Sequence, residues 1–156
     1  ENTRLIIIDD VQELDYLNRN ENVDITCWQI PANNQNTSMN ELIRIALRSN
    51  PDWLIVAESR GKEMNELLNS VMTGHPIITT IHAKTVEYMP QRMARMVEMA
   101  GVSEKHEDIL MDIYDHFEVF IYCERCILEN GNVERYIKKI GEIDSSHNMR
   151  IIYERN

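Results

Sequence analysis

Two apolar segments of the chain each end on groups that can take part in acid–base or metal chemistry. The run Trp53–Ala57 stops at Glu58, and Arg60 follows two residues later. The run Pro76–Ile81 stops at His82. Because open parallel α/β sheets build their sites at the carboxyl ends of strands, this arrangement predicts that both segments contribute to one site.

A third apolar segment leads into a group of carboxylates. The predicted strand Arg4–Ile8 is followed directly by Asp9 and Asp10, and Glu13 comes shortly afterwards. Carboxylates that follow a strand in this way are candidates for the same site, because the crevice of an open α/β sheet lies at the carboxyl ends of its strands. The alternative interpretation is an acidic loop that is simply solvated after the strand.

Glu58 is predicted to follow directly on a buried strand. A carboxylate at the end of a buried strand is costly unless it is paired or associated with a metal. Mg²⁺ could satisfy it, directly or through water, and so could a bidentate pair with Arg60. A surface Glu–Arg pair of little energetic value is the alternative.

The rest of the pattern predicts strands that alternate with helices, which favours a parallel sheet. After a strand over Val23–Ile30, we expect a helix that a Ser38–Glu41 capping box opens and that stops before Pro51. Three further helices follow: one from about Lys62 to Thr73 closed by Gly74, an amphipathic one over Met89–Ala100, and one capped by Ser103. The last elements are a β-hairpin over Glu118–Ile143, which turns at Asn130–Gly131, and an edge strand over Met149–Tyr153. The first of these helices is expected to turn Leu42, Ile45, Ala46 and Ser49 inward.

These segments together resemble the secretion and pilus-assembly ATPases, the type II/type IV family of hexameric P-loop motors. The stretch Ile6–Leu14 is similar to the aspartate box of that family, and Leu54–Arg60 is similar to its Walker B strand with the Glu-x-Arg that follows. Thr73–His75 and Thr79–Ala83 together resemble its histidine box. The stretch Ala46–Asp52 resembles the family's Leu-Arg-x-x-Pro-Asp approach to Walker B.

The chain departs from the family at several of these positions. Asp9 stands where glutamate is usual, Gln12 where proline often occurs, Ala57 where glycine is usual, and Lys84 where asparagine is frequent. The aspartate is one methylene shorter than glutamate, and a displacement of ~1 Å in a catalytic group can cost ~10²-fold in rate.

The resemblance implies roles for individual residues. The implied catalytic residues are Asp9, Asp10, Glu13, Glu58 and His82. The implied nucleotide-binding residues are Arg60, His75 and Arg48, and the implied magnesium ligand is Glu58, directly or through water. His82 and His75 could equally be satisfied structural histidines, and Arg48 could lie on a solvated helix face.

The phosphate cradle of a P-loop protein is missing from these 156 residues. A P-loop requires the pattern Gly-x-x-x-x-Gly-Lys-Ser/Thr, and none of the five glycines has that arrangement. The resemblance therefore implies an α/β fold: a partial RecA-like P-loop NTPase core that lacks the first strand and P-loop and carries a C-terminal β-hairpin. Residues 1–156 are expected to be one domain, the C-terminal portion of a secretion-type motor domain, and the missing initiator Met suggests a piece of a longer protein.

The implied function is a part in an ATP-hydrolysing motor for secretion, pilus assembly or conjugative transfer, with ATP and Mg²⁺ as cofactors of the intact protein. The alternative is a RecA-like interaction module that does not turn over ATP. Family membership implies a cytoplasmic homo-hexamer at the inner face of the membrane, in contact with a membrane platform protein. The formal charge of 16 − 26 = −10 argues against direct nucleic-acid binding, which depends on neutralising phosphates.

Three cysteines are present, two of them in a Cys123–Cys126 CxxC pair. A zinc site needs about four ligands, and no second pair occurs elsewhere in the sequence. We therefore expect reduced, structural thiols rather than a metal or redox site.

Overall fold

The computed structural model describes residues 3–11, 14, 23–29 and 38–155, and these residues form two compact units. The first unit takes the described chain up to His82 together with Met96–Ser103. The second takes Ala83–Arg95 and the described chain from Glu104. Glu13 lies outside the described residues.

The first unit contains a four-stranded parallel sheet in the order β2-β1-β3-β4. Its strands are β1 (Arg4–Asp9), β2 (Asp24–Gln29), β3 (Trp53–Val56) and β4 (Ile77–Thr79), and its helices are α1 (Met39–Arg48) and α2 (Glu63–Met72). The central strand β1 is buried on both faces at Ile6, Ile7 and Ile8, which are at most 1% exposed. A continuous apolar run of this kind is what a parallel strand covered on both faces requires.

The second unit contains a three-stranded antiparallel sheet in the order β5-β6-β7. Its strands are β5 (Val119–Ile127), β6 (Val133–Ile143) and β7 (Met149–Glu154), preceded in the chain by a 3₁₀ turn (Val86–Tyr88), α3 (Met89–Glu98) and α4 (His106–His116). The predicted hairpin and final edge strand are confirmed. The turn between β5 and β6 contains Gly131 at φ 81°, as the Asn-Gly pair predicts.

The β5–β6 hairpin extends beyond the strand that borders it. β7 pairs with β6 only from Lys139 to Ile143, so the remainder of the hairpin is a two-stranded ribbon. Tyr136 Oη donates a hydrogen bond of 2.6 Å to Glu124 in the ribbon, and this bond raises the pKa of Tyr136 to about 12. The guanidinium of Arg155 lies 4.3 Å from the centre of the same ring.

The predicted capping box of α1 is present in full. The Ser38 side chain accepts a hydrogen bond from the Glu41 backbone N–H, and the Glu41 carboxylate accepts one from the Ser38 N–H. The expected inward face of α1 is wrong at Ile45, which is 50% exposed, whereas Ile43 is fully buried. The contacts that α1 makes with β1 and α2 select a face turned by about one residue from the expected one.

Two other local expectations differ from the structure. Ser103 does not cap α4, because the helix begins at His106 after Lys105 and has no side-chain cap. Its first turn instead carries Glu107 and Asp108, whose charge favours the amino end of a helix. The strand expected over residues 76–81 is also shorter, since β4 covers only Ile77–Thr79.

No helix among the described residues is long and apolar enough to cross a bilayer.

The carboxyl end of α2 gives a direct test of backbone geometry. Gly74 has φ 87°, its N–H donates to Val71 O at 2.9 Å, and the N–H of His75 donates to Ser70 O at 3.1 Å. This pair of hydrogen bonds is a Schellman motif, which needs a left-handed residue at the glycine position.

Gly74→Ala should lower the free energy of unfolding by ~1 kcal/mol, because alanine is strained in the left-handed region. Gly74→Asn should cost clearly less, since asparagine tolerates that region and the chain already places Asn50 there at φ 51°. Urea unfolding of the three proteins measures both values. Equal stability of the alanine and asparagine variants would contradict the assignment.

Candidate functional site

Three neighbouring parallel strands end at the same edge of the first sheet. Ile8 of β1 lies opposite Val56 of β3, and Val56 lies opposite Thr79 of β4. The residues that follow these strands therefore meet at one edge, which is where open α/β sheets form ligand crevices. The predicted convergence of the three segments is present in the structure.

Backbone hydrogen bonds hold the chain beyond the strand ends. The Ala57 N–H donates to Ile8 O at 2.9 Å, and the Ser59 N–H donates to Thr80 O at 2.8 Å. The hydroxyl of Thr80 donates back to Ala57 O at 2.5 Å. These bonds extend the alignment of the three segments past β4, which itself is only three residues long.

Arg60 joins two of the carboxylates that follow the strands. Its Nη2 donates to Glu58 Oε2 at 2.7 Å, and its Nη1 lies 3.6 Å from Asp10 Oδ2. The side chains of Glu58 and Asp10 are 21% and 35% exposed, while that of Arg60 is 63% exposed. A guanidinium in this position neutralises two carboxylates that would otherwise repel each other.

His82 contacts the second oxygen of Glu58. Its Nε2 lies 3.2 Å from Glu58 Oε1, so both carboxylate oxygens of Glu58 have a partner. The imidazole is 92% exposed and is open to a ligand that approaches this edge of the sheet. Asp10, Glu58, Arg60 and His82 are called the strand-edge cluster below.

The electrostatics of the cluster are dominated by one hydrogen bond. The bond from Arg60 lowers the pKa of Glu58, burial opposes that shift, and the nearby charges of Arg60 and His82 reinforce it. In turn, Glu58 and Asp10 raise the pKa of Arg60. Glu58 therefore stays ionised at neutral pH despite its partial burial.

Asp9 makes a different set of contacts from those expected of a catalytic base. It is 4% exposed, its Oδ1 accepts from the Val11 N–H at 3.0 Å, and its Oδ2 accepts from the Leu14 N–H at 2.9 Å. Both oxygens thus shape the chain after β1, while Asp10 faces Arg60. The catalytic role stays a prediction for both aspartates, and these contacts favour Asp10.

His75 and Arg48 lie away from the strand-edge cluster. His75 precedes β4, at the opposite end of that strand from His82, and its Nδ1 lies 3.1 Å from the Thr73 hydroxyl. Arg48 is the exposed last residue of α1, on the side from which the chain enters β3. Nucleotide binding by these two residues stays a prediction, and neither is brought to the cluster.

The donor set of the cluster fits magnesium only in part. The described residues contain no group of three or more His, Cys, Asp or Glu side chains that could hold a metal by themselves. Mg²⁺, however, is commonly held by one or two carboxylates together with water and substrate phosphates. Asp10 Oδ1 is buried without a hydrogen-bond partner among the described residues, and Arg60 contacts both Asp10 and the ionised Glu58. These carboxylates fit a magnesium shared with a phosphate.

The CxxC pair has the geometry of two separate thiols. Cys123 and Cys126 both lie in β5, three residues apart, and side chains at that spacing point to opposite faces of a strand. The pair therefore cannot chelate one metal ion or close a disulfide.

Sequence inspection missed one residue of the site. Glu63 Oε1 accepts from the backbone N–H groups of Arg60 and Gly61, at 2.5 and 2.7 Å. An acidic residue in the first turn of a helix is common, and nothing in its spacing distinguishes it from a favourable charge at the helix end.

Comparison with known families gives a match over most of the chain. Residues 1–121 match the family described as Type II/IV secretion system protein. An uncharacterized protein of Bacillus anthracis is 28% identical over 159 aligned residues, which include 97% of this chain and 35% of the relative. The VirB11 protein of the Bartonella henselae type IV secretion system is 31% identical over 88 residues, 54% of this chain and 25% of that protein.

A solved structure is similar over nearly the whole described fold. The VirB11 ATPase of the Brucella suis type IV secretion system, crystallised with sulphate, superposes with a TM-score of 0.75 at 27% identity. The match covers 90% of this chain and 40% of the Brucella suis chain. The chain therefore spans at most 40% of the length of these relatives. The structural similarity confirms the predicted RecA-like α/β fold.

The Arg60–Glu58 hydrogen bond predicts a specific pH dependence. Because the pKa of Glu58 is lowered in the folded protein, the bond stabilises the fold above the ordinary carboxyl pKa of about 4.5, and this stabilisation is lost as pH falls through the folded value. Arg60→Gln should raise the Glu58 pKa toward 4.5 and flatten that part of the stability profile. Arg60→Lys, which keeps the charge but not the planar fork, should give an intermediate pKa.

An NMR titration that follows the side-chain carboxyl carbon of Glu58 measures this shift directly. The same Glu58 pKa in the wild-type and Arg60→Gln proteins would show that the hydrogen bond is not the cause.

Proposed function

Since the chain belongs to the Type II/IV secretion system protein family, we propose that it forms part of an ATP-hydrolysing motor that powers protein secretion, pilus assembly or conjugative transfer. The observation that carries the proposal is the strand-edge cluster. Residues up to 72 positions apart (82 − 10) bring carboxylates, a guanidinium and an imidazole to one edge of a parallel sheet. Such an edge is where α/β folds bind nucleotides.

Each member of the cluster has a role suited to phosphoryl transfer, in which positioning and charge supply most of the catalysis. Mg²⁺ bound with the phosphates of ATP would neutralise charge on the transferred group. Glu58 would hold that ion, directly or through water, and Asp10 would accept a hydrogen bond from the attacking water. Asp9 and Glu13 are the other acceptors proposed for this step.

Arg60 and His82 would respond to the phosphates. In the structure Arg60 balances the charge of Asp10 and Glu58, and its guanidinium is exposed enough to reach an incoming phosphate. His82 would donate a hydrogen bond near the terminal phosphate and lose it after hydrolysis. Histidine suits this role, because modest changes in field move its proton near neutral pH.

The phosphate cradle would have to come from outside these residues. We propose that a Gly-x-x-x-x-Gly-Lys-Ser/Thr loop elsewhere in the polypeptide or in a partner chain completes the site. The complete protein would be a cytoplasmic homo-hexamer that works at the inner face of the membrane, through a platform protein of the secretion or pilus machine. His75 and Arg48 would serve at the nucleotide or at a neighbouring subunit.

A second candidate is a RecA-like interaction module that does not hydrolyse ATP. Two observations favour it: the sequence lacks the phosphate loop, and both oxygens of Asp9 are engaged by backbone N–H groups. Among the described residues β4 also lies at the edge of its sheet, and a free edge can pair with another chain. The two candidates differ in whether the complete protein hydrolyses ATP.

The 156-residue chain alone should bind ATP negligibly and hydrolyse none. It lacks the backbone N–H nest and lysine that hold the β- and γ-phosphates, and its formal charge of −10 repels a polyphosphate. Calorimetric titration with ATP and Mg²⁺ tests this directly. Micromolar binding would mean that the nucleotide site lies elsewhere.

In a protein that joins this chain to a phosphate-binding loop, Glu58→Gln should abolish turnover while nucleotide binding largely survives. His82→Ala should lower turnover less, within the ~10²–10⁴-fold that positioning and general-base groups contribute. Glu129→Gln, at an exposed position of the β5–β6 turn, is the matched charge control. Hydrolysis by the Glu58→Gln protein at the parental rate would show that Glu58 is not part of the catalytic site, whereas the absence of hydrolysis by the parental protein itself would support the non-catalytic module.

A further inference from the structure

The turn that carries Arg60 is held by a carboxylate outside the strand-edge cluster. Glu63 is the first residue of α2, and its Oε1 accepts two hydrogen bonds at once, from the backbone N–H groups of Arg60 and Gly61. The two bonds measure 2.5 and 2.7 Å. A single oxygen therefore fixes two consecutive peptide units between the site and the helix.

Among the described residues, the Arg60 guanidinium is held by one hydrogen bond, to Glu58. Its side chain is 63% exposed, and a long exposed side chain loses rotamer freedom when it is fixed in one ion pair. Its second contact, to Asp10, is 3.6 Å long and lies beyond hydrogen-bonding distance. The direction in which Arg60 leaves the backbone therefore decides whether its guanidinium meets both carboxylates.

We propose that Glu63 is a positioning residue of the strand-edge cluster, which fixes the Arg60–Gly61 turn and thereby keeps the Arg60 guanidinium between Asp10 and Glu58. Its importance for turnover rests on the proposed motor function, whereas its effect on Arg60 does not. Glu63 acts through Arg60 and does not itself contact Glu58 or Asp10 in any hydrogen bond or ion pair described for the structure.

A simpler role for Glu63 would be stabilisation of α2 alone. The N-cap residue Lys62 provides no side-chain cap, and an acidic residue in the first turn interacts favourably with the helix dipole. That role requires the negative charge of Glu63 but not its reach to the two N–H groups. The variants below separate charge from reach.

The probe is the ¹⁵N NMR signal of the arginine side chains in the 156-residue chain. A guanidinium held in a pair gives separate Nη signals and a rigid Nε–H, and a free one gives averaged signals and a mobile Nε–H. Arg44 provides an internal control, since it forms a two-point pair with Glu66 at 2.9 and 2.6 Å between α1 and α2. Its signals should be the same in every Glu63 variant.

Glu63→Ala should convert the Arg60 signals from held to averaged and leave those of Arg44 unchanged. Glu63→Gln should retain the held pattern, because its amide oxygen can still accept from the two N–H groups. Glu63→Asp keeps the charge at the helix end but is one methylene shorter, so it should lose the held pattern while melting like the wild type. Glu66→Ala should show the reverse selectivity, freeing Arg44 and sparing Arg60.

Held Arg60 signals in the alanine and aspartate variants would overturn the proposal and leave Glu63 as a helix-end charge. If the alanine variant does not fold, the comparison of aspartate with glutamine decides the question by itself. The measurement needs no nucleotide, so its outcome is independent of turnover. Loss of Arg60 order with normal hydrolysis in the complete motor would refute the catalytic role of the cluster and leave the positioning role intact.

Discussion

The parallel pairing of β1 with β3, and of β3 with β4, is the constraint on which the candidate site depends. Backbone hydrogen bonds on either side of β3 hold its register against β1: the Asp52 N–H donates to Arg4 O at 2.9 Å, and the Ala57 N–H donates to Ile8 O at 2.9 Å. The register of the strands fixes where each strand ends, and it therefore fixes the positions of the residues that follow. Asp10, Glu58 and His82 are therefore brought together by an apolar core that contains none of them.

Arg60 explains why two carboxylates can be placed at this edge. Partly buried carboxylates repel one another and lose hydration, and both effects favour protonation. Arg60 reverses that tendency by a short hydrogen bond to Glu58 and a longer contact with Asp10. Because the guanidinium remains largely exposed, the carboxylates are stabilised without being sealed from solvent. A ligand can thus reach the cluster without first breaking a buried ion pair.

The sequence predicted the parts of the fold that follow from apolar runs and local hydrogen-bonding signals. Arg4–Ile8, Trp53–Ala57 and the capping box at Ser38 all depend on neighbouring residues alone, and they appear as predicted. The inward face of α1 differs from the prediction, because the helix packs with Ile43 buried and Ile45 exposed. Convergence of the strand ends could be predicted because parallel sheets have a polarity that the element order already fixes.

The finer structure of the site depends on turn geometry, which spacing does not determine. Adjacent aspartates look alike in sequence, yet Asp9 bonds to the backbone after β1 while Asp10 faces Arg60. The contacts of Glu63 depend likewise on the direction of two peptide N–H groups. Spacing also did not predict the positions of the two histidines. His75 and His82 lie at opposite ends of β4, so only one of them reaches the strand-edge cluster.

The unequal lengths of β6 and β7 give the second unit a gradient of local stability. Near Gly141 the sheet has three strands, but toward the Asn130–Gly131 turn only two remain, and a two-stranded ribbon is marginal by itself. Arg155 marks the boundary, because its guanidinium stacks on Tyr136 and pairs with Glu134 at 3.1 Å. Amide protons should therefore exchange with solvent fastest at the tip, and more slowly from the Arg155 contacts inward. The hairpin would then open from its tip without disturbing the paired base.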